Sequence, residues 1–222
     1  MADLNFGMYK EDSVTSKIIA EVIEKYNWPN KLEVSMGKSQ PVRMVETVTK
    51  INEAKPGTLR YMASLQSTDE KILKLIKRKN IPFDQMVEME RQKKTDQTQI
   101  TEYFTEFILA LPGDDLEKHY KSLETAIDLI NMDNIDVHQL ILLKGTEMAT
   151  RQEREKFHFD VRYRIYIGCF GLYGIGDEKE VPVAEIEETV VGHETLSFKD
   201  YLECRVINLL VKILSIRLFN TI

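Results

Sequence analysis

Cysteine is nearly missing from this chain, which has only Cys169 and Cys204 in 222 residues. Two thiols imply no disulfide framework, and reduced cytosolic thiols are the expectation. They also fall short of the three or four thiolates that hold an iron–sulfur cluster. Long apolar runs are missing too. The longest, Val206 to Leu218, is broken by Asn208, Lys212, Ser215 and Arg217 and stops short of the roughly 20 residues of a membrane span. Asp3, Lys10, Glu11 and Asp12 interrupt any signal-peptide build, so a cytoplasmic chain without membrane contact is expected. Basic residues are not in excess. The net charge is -6, which argues against nucleic acid as a partner, and Lys74, Lys77, Arg78 and Lys79 read as a solvated helix face. The histidines His119, His138, His158 and His193 lack metal-ligand spacing. Gly37-Lys38-Ser39 has no upstream glycine to complete a phosphate loop, and no Gly-x-Ser-x-Gly elbow is present.

The remaining composition, 43% hydrophobic and 30% charged, is that of a globular domain, alone or with an extension. Five apolar runs of strand length alternate with helix-period segments: Leu4 to Met8, Leu32 to Met36, Leu59 to Leu65, Tyr103 to Leu111 and Ile135 to Leu143. Between the first two, Val14, Ile18, Ile19, Val22, Ile23 and Tyr26 form one helix face, stopped at Asn27-Trp28-Pro29. A second helix spans Pro41 to Ala54, with proline in its first turn. A third starts near Thr68-Asp69-Glu70, with Ser67 or Thr68 as its cap, and another covers Asp84 to Lys93. The next carries Leu116, Tyr120, Leu123 and Ile127, with Asp114 or Asp115 as cap. Such alternation implies parallel strands joined by crossovers. An open sheet and a barrel fragment fit the periodicity equally. After Met148 the texture changes. Arg151 to Lys156 is a charged helix, Phe157 to Thr189 mixes aromatics with glycines, and Ser197-Phe198-Lys199-Asp200 caps a terminal helix to about Leu218. Leu202, Val206, Leu209, Leu210 and Ile213 share the face expected to pack.

Three places carry candidate chemistry. Ser64-Leu65-Gln66-Ser67 joins a strand to a helix through side chains able to meet a hydroxylated ligand such as a ribose. Glu102 and Glu106, four apart on a strand, point to one face and are either the acid/base couple of a hydrolase or a solvated pair. At two successive strand ends, Leu111-Pro112-Gly113 and His138-Gln139-Leu140, polar residues and tight turns fall where parallel α/β proteins hold ligands. Of His138 and Gln139, alternation sends one to each face.

Taken in order, these segments resemble radical S-adenosylmethionine (SAM) enzymes that carry a cobalamin-binding domain. The matching stretches are Asp3 to Met8, Leu32 to Lys38, Ser64 to Asp69, Leu73 to Asn80, Glu106 to Gly113 and His138 to Thr146, followed by Cys169-Phe170-Gly171, Ala184 to Glu188 and Leu196 to Arg205. The resemblance implies an α/β fold, a partial parallel (βα) barrel with strands two to six of a six-unit barrel over residues 1–148. Residues 149–222 form a C-terminal extension ending in a helix. It implies SAM as cofactor, with Ser64, Gln66 and Ser67 near the ribose and Arg78 near the carboxylate. Leu111, Pro112, Gln139 and Leu140 fall beside the adenine, and Glu106 is a polar interior residue. Ala110 stands where glycine is common in the family. The 4Fe–4S cluster and cobalamin belong to the full-length family and are not ligated by this chain. Radical chemistry therefore requires a cluster-bearing segment from another chain or a missing N-terminus, while the open barrel edge favours self-association. The alternative is a degenerate, non-catalytic binding or interaction module derived from that barrel.

Overall fold

The computed structural model describes all residues except 4, 37–39, 63, 79, 81–102, 130–133, 175, 177–178 and 220–222, and only the backbone of 103, 129 and 215–219. The helix expected over Asp84 to Lys93 lies outside the described residues, as do Glu102 and Leu4. Three strands, β1 (Tyr61–Met62), β2 (Tyr103–Leu109) and β3 (Asn134–Gln139), form a parallel sheet in the order β1-β2-β3. Parallel bridges Leu32–Leu59 and Phe6–Met36 continue that order on the β1 side. All five apolar runs therefore lie side by side in chain order, as successive crossovers require. Among the described residues the first run pairs at Phe6, whose N–H donates to the Ser35 carbonyl at 3.2 Å.

Helices α1 (Lys10–Tyr26), α2 (Pro41–Ala54), α3 (Glu70–Leu75) and α4 (Leu116–Glu124, continued as one π turn over Thr125–Leu129) connect the strands. Proline opens α2, where its missing N–H would be unpaired anyway. Met44, Val48 and Ile51 repeat at i, i+4, i+7 and bury that face with Phe6, Ile23, Tyr61 and Phe107. The buried Asn52 side chain clamps the next strand: its Nδ2 donates to the Leu59 carbonyl at 2.8 Å, and its Oδ1 accepts the Leu59 N–H at 2.9 Å. Asp115 caps α4 through the Lys118 N–H at 2.8 Å. The cap of α3 is Asp69, not Ser67 or Thr68, because its carboxylate reaches the Lys71 and Ile72 N–H groups at 2.8 and 3.0 Å. Ser67 serves one step earlier, accepting the Asp69 N–H at 3.1 Å.

The face predicted for α1 is buried only in part: Ile23 is buried and Ile19 packs on the same core, but Val14, Ile18 and Tyr26 are exposed, and Asp12, Ser16 and Ala20 take the other inward places. Small residues at 16 and 20 let α1 and α2 approach closely, and close packing outweighs the broader apolar stripe.

Beyond β3 the chain forms helix α5 (Arg151–Phe157) and a long antiparallel ribbon of β4 (Asp160–Tyr173) and β5 (Val181–Gly192), which the aromatic and glycine mixture had not disclosed. The ribbon's base extends the sheet. The Leu142 N–H donates to the Glu188 carbonyl at 2.8 Å, and the Val190 N–H to the Leu140 carbonyl at 2.9 Å. Its far half carries apolar side chains into solvent, Ile167 at 88% exposure among them. The last helix, α6 (Phe198–Phe219), begins where Ser197 accepts the Asp200 N–H at 3.2 Å. It lies against β3 and α4 through Tyr201, Cys204, Asn208 and Val211. The expected packing face, Leu202, Val206, Leu209, Leu210 and Ile213, is instead exposed. Both sides of α6 are apolar, so periodicity selected a real stripe but not the one that meets the sheet.

Candidate functional site

Alternation along β2 separates two faces of the sheet. Thr105, Phe107 and Leu109 are fully buried, with Phe107 and Leu109 in the cores under the helices, whereas Glu106 and Ile108 on the opposite face are partly exposed. Three neighbouring strands meet on that second face. Ser64, just past β1, donates its hydroxyl to Glu106 Oε2 at 2.7 Å. His138 of β3, in register with Ile108, places Nε2 3.3 Å from Glu106 Oε1. One carboxylate thus takes a neighbour on each oxygen. The imidazole remains 59% exposed and the carboxylate 32%, so the cluster stays open to a ligand. With Nε2 as donor, His138 can hold Glu106 while its other nitrogen faces outward, an assignment that rests on the hydrogen-bond partner.

The approach to this face is shaped by a bulge. Between the Met62–Phe104 and Gln66–Phe107 pairs the first strand has one residue more than β2. Gln66 lies at φ +67° while both its backbone groups stay bonded to β2, its N–H to the Glu106 carbonyl at 2.8 Å and its carbonyl to the Ile108 N–H at 3.0 Å. At the adjacent strand end Ala110 takes φ +68° with no exposed surface. That is a conformation in which glycine is favoured, which explains physically why a glycine suits this position. The turn beyond closes through the Asp114 N–H on the Leu111 carbonyl at 2.9 Å. At Gly113, φ +81°, an added Cβ would meet Leu75 of α3 at 3.0 Å.

The remaining candidates divide. Ser67 is buried, and its carbonyl accepts the Asn80 amide at 2.7 Å. Leu111, Pro112 and Leu140 are buried at the ends of β2 and β3. Gln139 engages the other side: its Oε1 accepts the Tyr201 hydroxyl of α6 at 2.8 Å, and burial raises the Tyr201 pKa. Arg78 is exposed after α3, its backbone N–H closing the helix on the Leu73 carbonyl at 2.9 Å. Among the described residues no hydrogen bond joins it to Ser64, Glu106 or His138. Of the strand-end pair His138 and Gln139, between which alternation alone does not choose, His138 is the one that joins this cluster. Counting alternate positions across paired strands, 106 with 108 and 138, was the signal that could have found it.

Behind the β2 turn lies a second polar group. Asp114 is 4% exposed, and burial pushes its carboxyl up to about 7. Its Oδ1 accepts the Asp115 N–H at 3.0 Å and its carbonyl accepts the Thr195 hydroxyl at 2.6 Å. His119 Nδ1 stands 3.9 Å from Asp114 Oδ2, too far for a hydrogen bond, while Nε2 lies 2.8 Å from Asn208 Oδ1 on α6. Burial lowers the His119 pKa. Both groups are therefore held towards their neutral forms, and the network serves to seat α6.

The cysteines do not fit an iron–sulfur cluster. Cys204 is buried, and burial pushes its thiol up to about 12. Cys169 sits apart on the ribbon. Among the described residues no three His, Cys, Asp or Glu side chains converge to hold a metal.

Comparison with known proteins gives the site its context. The chain is 23% identical over 168 residues to the cobalamin-dependent radical SAM methyltransferase TokK of Streptomyces tokunonensis, a match over 75% of this chain and 24% of that protein. The resemblance is to cobalamin-dependent radical SAM methyltransferases. A second such relative, 2-(S-pantetheinyl)-carbapenam-3-carboxylate methyltransferase of Streptantibioticus cattleyicolor, is 22% identical over 207 residues, 92% of this chain and 28% of the relative. The chain thus spans about a quarter of the length of the curated relatives it matches. Among solved structures, an N-terminally deleted Methanocaldococcus infernus Elp3 superposes with a TM-score of 0.43 at 16% identity, covering 67% of this chain and 38% of that one. No family model matches the chain. Among the described residues no helix is long and apolar enough to cross a membrane.

Proposed function

We propose that this chain supplies the SAM-binding half-barrel of a radical SAM enzyme, with the cluster brought by another chain or by further sequence. The observation that supports this reading is the Ser64–Glu106–His138 cluster, which spans three neighbouring parallel strands on a partly exposed face of the sheet. Parallel strands bring their carboxyl ends to one side, and a ribose bearing two hydroxyls is a suitable ligand for a carboxylate flanked by a hydroxyl and an imidazole. In this reading Ser64, Glu106 and His138 bind and orient the nucleoside. Gln66 forms its rim, and Ser67, Leu111, Pro112 and Leu140, buried at the strand ends, hold that rim in place. Gln139 contributes through its backbone, since Tyr201 engages its side chain. Arg78, exposed after α3, is available to meet a carboxylate. A cluster supplied from elsewhere would deliver the electron for reductive cleavage of SAM.

A second reading is a non-catalytic module derived from the same barrel. It is favoured by the cysteine pair and by the strained, methyl-bearing Ala110 where the site needs close backbone approach.

Titration of the chain with SAM, followed by amide chemical shifts, tests the first reading. Without a cluster to anchor the methionine end, a dissociation constant on the order of millimolar is expected, roughly -4 kcal/mol. Shifts centred on residues 64–67, 106–111 and 138–140 that disappear in Ser64→Ala/Glu106→Ala, with circular dichroism unchanged, support it. Absence of shifts, or shifts that survive the double substitution, overturns the site.

A further inference from the structure

We infer that the outer face of α6 is a helix-pairing surface through which two copies of this chain associate, in parallel and about a two-fold axis. Leu202, Val206, Leu209 and Ile213 are 48%, 60%, 61% and 40% exposed and recur at spacings of four, three and four. That is the a/d seam of a heptad repeat, with Leu at both d positions (Leu202, Leu209) and β-branched residues at both a positions (Val206, Ile213). This combination favours two strands in parallel over higher oligomers. Leu210 and Leu214, 47% and 53% exposed, widen the stripe.

The opposite side of the helix is already occupied. Tyr201 and Cys204 are buried against the sheet and Lys212 is ion-paired with Asp136 of β3. A two-heptad helix would be marginal alone, but α6 is held helical by the protein before any partner arrives, so ordering it costs little at association.

Side-chain shape selects the orientation: across a parallel pair like positions meet, Leu against Leu at d and β-branched against β-branched residues at a. The area is also of the right order. Six half-exposed aliphatic side chains present roughly 500 Å² against the about 800 Å² per partner of a standard interface, which corresponds to a reversible dimer. The surface is separate from the sheet edge at Phe6.

Sedimentation velocity on the full chain at about 50 µM, where a dimer with a dissociation constant of roughly 10 µM or tighter is mostly associated, is the test. A species at twice the 25.8 kDa chain mass is expected, and Val206→Glu/Leu209→Glu should return it to the monomer with its circular dichroism unchanged. Both positions are exposed, so folding is not at stake. In a Cys169→Ser background, Val206→Cys and Ile213→Cys should each form an intermolecular disulfide with its own counterpart under mild oxidation. An antiparallel pair allows this at one position at most. A wild-type monomer at that concentration, a dimer that survives the double substitution, or cross-linking at one position alone overturns the proposal.

Discussion

Replacing Asp114 with asparagine should change how stability depends on pH, by an amount the structure sets. The carboxyl is 4% exposed and is displaced by burial from its ordinary 3.8 to about 7. Neither the backbone N–H groups nor Lys118 offsets that desolvation. The native state therefore keeps a proton that the unfolded chain releases near pH 4. Between about pH 4 and 7 the native form binds more protons, so this group's contribution falls as pH rises and is fully lost above pH 7. The displacement corresponds to about 4 kcal/mol, an upper figure for a single group. Asparagine keeps the volume and an oxygen for the Asp115 N–H, but cannot ionise. Urea titrations of both proteins at half-unit steps from pH 4.5 to 8.5 should show the Asp114→Asn advantage growing by about 1.4 kcal/mol per pH unit up to pH 7, then flat. An advantage that is constant across the range would refute the assignment of a protonated, buried Asp114.

Asn52→Ala should destabilise the chain by about 2–4 kcal/mol, measured by the same denaturation, because it strands both the N–H and the carbonyl of the buried Leu59. Incubation of the isolated chain with iron and sulfide should give no stoichiometric visible absorbance. A stable cluster on Cys169 and Cys204 would contradict both the thiol count and the burial of Cys204.

Where the chain forms parallel strands, its run lengths and turn residues carried the information. Tyr103 to Leu111 and Ile135 to Leu143 are apolar because one face lies under helices, and each ends in a turn that the next element requires. Pro41 and Asp115 mark helix starts for local reasons that no distant contact overrides. The errors share a cause. In α1 and α6 the apolar residues are too many for one face, and which stripe is buried depends on the partner surface. Ser16 and Ala20 win on α1 because they are small, and Tyr201 and Asn208 win on α6 because β3 and α4 offer Gln139 and His119 opposite them. The ribbon was hidden because its side chains do not alternate between a wet and a dry face. At the site, Ser64 and Glu106 could be nominated individually. Their bond depends on the one-residue bulge at Gln66, which sets register only after β1 and β2 have paired.

That bulge and the turn at Ala110 bear on the function together. Gln66 and Ala110, at φ +67° and +68°, hold non-glycine side chains in the left-handed region, at a cost of about 1–2 kcal/mol each. They lie on adjacent strands at the ends that flank the Glu106 cluster. A sheet that only had to pair would relieve the strain by moving one residue along. Here it is retained because both backbone groups of Gln66 are bound to β2, so releasing the strain breaks the pairing that brings Ser64 to Glu106. Under the proposed function, strain maintained at neighbouring strand ends, beside polar groups on a partly exposed face, suits a surface that meets a ligand. It holds for either reading of this chain, since a derived binding module needs the same preformed rim as an enzyme. The two readings part only over what arrives there, and the SAM titration and the double substitution at Ser64 and Glu106 separate them.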